Sequence, residues 1–171
     1  MEKTLVLVKP DGVQRSLVGE IIKRFENTGL KIIGMKMIWA NEEFARKHYR
    51  EDLDIKYKDV LEKYGKDIRK ELVKYLKEGP VIAFVLEGIE AIKIVRKIVG
   101  STYPEESLPG TIRGDLAHIS KNYANENNIM IRNLVHASGN KEDAQIEISV
   151  WFRPEELYSY ETVHDIFVLK K

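Results

Sequence analysis

The chain has 171 residues, 43% of them hydrophobic, and no cysteine. A single domain over residues 1–171 would bury roughly 70% of the surface its unfolded form exposes, so it needs no disulfide staple. Thiol catalysis and zinc–thiolate sites are excluded. Its 28 lysines and arginines balance 27 acids for a net charge of +1, which leaves no basic footprint for nucleic acid. No apolar run resembles a signal peptide or a membrane span, so the expectation is a cytoplasmic protein that binds neither membrane nor nucleic acid.

Residues 4–8 form a continuous apolar run closed by Pro10-Asp11-Gly12, the pattern of a buried strand entering a turn. Val18, Ile21, Ile22 and Phe25 recur at helical spacing up to Asn27-Thr28-Gly29. Residues 30–39 predict a strand with one partly exposed side, and Asn41 caps a helix that carries Glu42 and Glu43 in its first turn. Residues 50–67 are strongly charged and read as surface helix or loop; a helix over 68–76 then runs to Gly79-Pro80. A strand over 81–86 and a helix holding Ile92, Val95 and Val99 precede a turn-fixed loop rich in proline and glycine over 100–115. Residues 120–128 read as exposed loop, 129–136 as a strand and 141–152 as a helix, and the apolar tail of 163–169 is expected to dock. The order β-α-β-α-α-β-α-β-α suits a ferredoxin-like α+β sandwich, an antiparallel four-stranded sheet with helices on one face. A flavodoxin-like parallel sheet is the rival.

Within this frame a few residues stand where chemistry is possible. His136 follows a short apolar stretch and precedes small residues, the setting of a strand end. A histidine there can be a nucleophile, a general base or a metal ligand. On the helix that follows, Glu147 falls at the rim of the stripe formed by Ala144, Ile148, Trp151 and Phe152. A carboxylate at the edge of a buried face needs a partner, and His136 and Ser138 are the nearest candidates along the chain. Lys9 ends the first strand, where its ammonium stays free at the sheet's edge. Arg96 on a helix and Arg113 in the glycine-rich loop are candidates for oxyanion recognition, since the planar guanidinium pairs two phosphate oxygens at once. Thr102 and Asn133 add neutral donors. The four histidines show no i, i+4 pairing, so no histidine-built metal site is expected. No Walker loop, dinucleotide fingerprint or nucleophile elbow occurs; phosphate would be met by scattered cations.

Taken together the motifs resemble the nucleoside diphosphate kinase family over nearly the whole chain. The resemblance is carried by Val8-Lys9-Pro10-Asp11-Gly12-Val13-Gln14-Arg15, Pro109-Gly110-Thr111-Ile112-Arg113-Gly114-Asp115 and Asn133-Leu134-Val135-His136-Ala137-Ser138, with Glu147 and Trp151-Phe152 behind them. It implies a ferredoxin-like fold and ping-pong transfer of a γ-phosphoryl group through a phosphohistidine on His136. Lys9, Tyr49, Arg96, Thr102, Arg113 and Asn133 match positions that hold phosphates and ribose, and Ser138 and Glu147 match those that position the histidine. Leu72 matches an apolar residue beside the base. Mg²⁺ would ride on the nucleotide phosphates with no protein cage, and a homohexamer, alternatively a tetramer, is implied.

The chain departs from the family pattern in three places. Gly139-Asn140 replaces the usual Asp-Ser after His-x-Ser. Residues 50–67 are long and lack the usual pair of phenylalanines before Leu72, so Ile68 by alignment, or Tyr57 or Tyr64, would stack on the base. Residues 119–130 form a further insertion; the longer form is similar to archaeal members. With only apolar groups at the base, selectivity is expected to be weak unless one of the two insertions reaches it. A nucleotide-binding domain without turnover is the alternative reading.

Overall fold

The structure, a computed structural model, describes residues 1–170. In chain order its strands and helices are β1 (Glu2–Val8), α1 (Pro10–Gln14), α2 (Val18–Glu26), β2 (Lys31–Ile38), α3 (Glu42–His48), α4 (Asp52–Lys56), α5 (Lys58–Tyr64), α6 (Ile68–Leu76), β3 (Val81–Gly88), α7 (Ala91–Val99), α8 (Ile112–Leu116), α9 (Lys121–Glu126), β4 (Val135–Ala137), α10 (Lys141–Trp151) and α11 (Val163–Phe167). The sheet runs β2-β3-β1-β4 and every pair is antiparallel. This is the ferredoxin-like order, and it excludes the parallel rival.

β1 lies between β3 and β4 and is covered on both faces, which is why its sequence is apolar without alternation. Val6, Val8, Phe84 and Leu86 pack with Phe25 of α2 and Val95 of α7. Leu5, Leu7, Ala83 and Val85 pack on the opposite face with Val73 of α6 and Trp151 of α10. The expectation of helices on one face therefore holds for the crossover pair α2 and α7 alone. The extra helices α3, α6 and α10 cover the second face.

Other departures have local causes. Residues 129–134 are not strand: β4 is confined to three residues because Leu134 takes a positive φ of 67° immediately before it. Residues 121–126 form α9, not loop, since Ser120 accepts from the Tyr123 N–H and caps the helix. Asn140 accepts from the Asp143 N–H, so α10 keeps an N-cap despite the altered sequence there. The tail docks through polar contacts: Asp165, 4% exposed, pairs with Lys31, and His164 lies against Gly29. Its apolar residues Val163, Phe167 and Val168 stay exposed. No described helix is long and apolar enough to cross a membrane.

Candidate active site

The C-terminal end of β1 delivers Lys9 to the point where β4 brings His136, since Val8 pairs with Val135 and Leu7 with His136. The intervening backbone is bent sharply. Leu134 is a γ-turn, its neighbours joined by a 2.7 Å bond from the Val135 N–H to the Asn133 carbonyl. A non-glycine residue in this region costs about 1–3 kcal/mol and persists only when its surroundings hold it. Buried Asp11 holds it here: Oδ2 accepts from the Leu134 N–H at 3.2 Å and Oδ1 from the Tyr75 hydroxyl at 2.5 Å. The turn aims Asn133 at Lys9, whose Nζ donates to Oδ1 at 2.7 Å, while the Asn133 amide donates to the Thr102 carbonyl at 2.8 Å.

His136 is held from behind by α10. Its Nε2 lies 2.9 Å from Glu147 Oε1, and the Ser138 hydroxyl donates to Oε2 at 2.6 Å. An ionised carboxylate only accepts, so Nε2 carries the proton and Nδ1 keeps its lone pair. Burial pushes the Glu147 carboxyl up, but the His136 ring beside it and its hydrogen bond, the His48 ring and Ser138 together outweigh it and hold the group down to about 2. Ser138 is fully buried and acts through Glu147.

The cations form the opposite wall. Lys9 is 5% exposed, and burial followed by repulsion from Arg113 lowers it to about 7, with Asp11 opposing. Burial and Arg96 lower Arg113 to about 10. Four hydrogen bonds bracket the Arg113 guanidinium: to the carbonyls of Asn133 and Val135 and, both from Nη1, of Gly100 and Ser101. One of its five N–H groups therefore remains for a ligand. The loop presenting it is tight, for a Cβ on Gly114 would lie 2.2 Å from the Leu108 carbonyl oxygen. Arg96 stands exposed at the cleft's rim.

Lys9, Tyr49, Ile68, Leu72, Arg96, Thr102, Arg113, Asn133, His136 and Glu147 all line one cleft of about 300 Å³. Sequence reasoning missed several of its neighbours. His48, at the end of α3, packs its ring edge-on to His136 with centroids 4.5 Å apart and accepts from the Trp151 indole at 3.2 Å. Burial, then the neighbouring His136, pushes His48 well below the ordinary histidine value, so it is neutral. The adjoining hydroxyl of Tyr49 and His48 Nε2 are both buried without a partner. Both inserted segments also reach the cleft: Tyr57, Val60 and Lys66 from one, Lys121, Asn125 and Met130 from the other.

His48, His136 and Glu147 offer ligand atoms within 4.8 Å of one another. His136 Nε2 and Glu147 Oε1 are bonded to each other, Glu147 Oε2 accepts from Ser138, and both Asp11 oxygens accept protein hydrogen bonds. The chemistry of this donor set is an oriented imidazole sharing a cleft with three cations, suited to an anionic ligand.

The family description "nucleoside diphosphate kinase" matches residues 2–157. The chain is 46% identical to a nucleoside diphosphate kinase of Pyrococcus horikoshii over 99% of its length and 96% of the relative's. It is 42% identical to one of Borreliella burgdorferi, covering 94% of this chain and 92% of that one. A solved structure described as a transition-state mimic of the Borrelia enzyme with bound vanadate and ADP superposes with a TM-score of 0.87 at 41% identity, covering 96% and 95% of the two chains.

Proposed function

Because the chain belongs to the nucleoside diphosphate kinase family, we propose that it moves the γ-phosphoryl group of a nucleoside triphosphate to a diphosphate in two half-reactions through His136. The observation that carries this is the His136–Glu147 bond, which leaves the Nδ1 lone pair free beside Lys9, Arg96 and Arg113. In the first half-reaction Nδ1 attacks the γ-phosphorus, and the P–O bond to the β-phosphate breaks as the P–N bond forms. The diphosphate departs with that oxygen. In the second, a terminal oxygen of another diphosphate attacks the phosphohistidine and His136 regains its lone pair.

The protein's part is positioning and charge neutralisation. Lys9 and Arg113 meet the phosphate oxygens from buried positions where their fields are weakly screened. The Tyr49 hydroxyl, without a partner, is a donor for the transferring group or the ribose, alongside Thr102 and Asn133. Glu147 and Ser138 hold the imidazole and stabilise its positive charge as the P–N bond forms. Mg²⁺ would stay on the nucleotide's own phosphates, a reading supported by each Glu147 and Asp11 oxygen already accepting a protein hydrogen bond; it would neutralise charge on the phosphoryl oxygens.

The same reading gives a cytoplasmic homohexamer, alternatively a tetramer. Exposed Met35, Met37 and Trp39 on and beside the sheet's edge strand β2 support assembly. The test is incubation with γ-labelled ATP. Label that is acid-labile and base-stable, and that is chased by a diphosphate, is expected. Nucleotide binding without label would make this a binding domain.

A further inference from the structure

Two kinds of side chain line the cleft. Lys9, Arg96 and Arg113 share it with His136, whereas Tyr57, Val60, Ile68, Leu72 and Met130 bring apolar groups and Lys56 and Lys121 bring further charge. Helix α6 runs past both: Tyr75 near its end lies under the Lys9 ammonium at 5.1 Å, and Ile68 opens it. At 1.5 Å per residue Ile68 stands roughly 10 Å further along the helix, about the reach from a phosphate chain to a base.

Of the cations that residues 50–67 and 119–130 bring to the cleft, one is buried. Lys66 is 4% exposed, lines the cleft and lies two residues before Ile68. Its Nζ donates to the carbonyl of Ile129, the residue before Met130, so it ties one inserted segment to the other. Among the described residues no carboxylate forms an ion pair with it; Glu71 is the acid whose charge acts on it. An ammonium carries three donors, so two are left without a protein acceptor. A lysine free to do so extends such donors into water, but the Ile129 carbonyl keeps this one in the cleft.

We propose that Lys66 is a specificity-determining residue that reads the base through a carbonyl oxygen. Guanine carries such an oxygen at C6 and uracil and thymine at C4, where adenine and cytosine carry an amino group. The keto bases accept a charge-assisted hydrogen bond there, and the amino bases leave the donor unmatched. The inference rests on the nucleotide reading of the cleft. It takes up the exception to the expectation of weak selectivity, that one of the two inserted segments reaches the base.

The experiment measures kcat/KM for GDP, UDP, ADP and CDP with the whole protein, its Lys66→Met variant and its Lys66→Arg variant, and the affinity of each for GDP and ADP by calorimetry. GDP and UDP are expected to exceed ADP and CDP by about tenfold, the scale of one charge-assisted hydrogen bond. Lys66→Met should bring that ratio within twofold by lowering GDP and UDP more than ADP and CDP, and Lys66→Arg should preserve it. Equal treatment of all four diphosphates by the wild type overturns the proposal. So does a uniform loss for all four in Lys66→Met, the mark of a latch that only ties the segments together. If no diphosphate accepts phosphate, the kinase reading fails and the calorimetric ratio of GDP to ADP still judges Lys66.

Discussion

Lys9 carries the sharpest electrostatic conflict in the cleft. An ammonium that belongs near 10.5 is brought to about 7, first by burial and then by Arg113. Below that value it is charged and attracts phosphate; above it the free protein's Lys9 is neutral. Binding a diphosphate must reprotonate it, so affinity should fall as pH rises through about 7, measurable by calorimetry between pH 6 and 9. A flat profile would place the Lys9 pKa elsewhere. The same burial makes Lys9 a liability for folding, fully felt below pH 7 and relieved as pH climbs toward the unfolded value. Lys9→Met should therefore raise the melting temperature in neutral buffer while abolishing transfer. His136→Ala should likewise abolish transfer but keep diphosphate binding, because the cations stay; a residual rate of even one percent of wild type would sink the histidine mechanism. Arg113→Ala should slow turnover by about 10²–10³-fold, the scale for one preorganised donor. With four of its hydrogen bonds made to backbone carbonyls, it should also lower the melting temperature. Arg113→Lys restores the charge without that bracket and should recover little of either.

At the scale of elements, the His136–Glu147 pair was legible because a strand and the helix that follows it are joined by a short turn, and Glu147 sat on the rim of an apolar stripe. His48 was not. It belongs to a helix far away in the chain, and only the layering of α3 and α10 on the same sheet face brings its ring to His136. Apolar patterning finds buried strands and says little about where they begin or stop. β4 begins late because the γ-turn at Leu134 uses backbone that the pattern assigns to strand. The cover on the second sheet face escaped for a related reason: periodicity marks which helices are amphipathic without saying against which face they pack. Caps are more local and more readable. Asn140 at the start of α10 makes two side-chain bonds to Asp143, its Oδ1 accepting from the N–H at 2.9 Å and its Nδ2 donating to Oδ2 at 2.8 Å. Asn140→Ala should cost about 1 kcal/mol in thermal or urea unfolding and leave kcat within twofold. A large loss of activity would mean that the cap also sets the position of Glu147.

Over the whole molecule, the site is assembled from parts that meet late. Lys9 closes the first strand, and its hydrogen-bond partner Asn133 lies 124 residues further on. β4 then makes the last strand pairing, through only three residues, and brings the nucleophile with it. During synthesis at about 5–20 residues per second, Lys9 waits on the order of ten seconds for Asn133 and His136 to be made. The pairing of β1 with β4 also closes residues 6–137 into one loop, a long-range contact that is slow to form. On the proposed mechanism, transfer therefore awaits β4: a chain cut off before it has Lys9 but no His136, and so cannot take phosphate from a nucleotide.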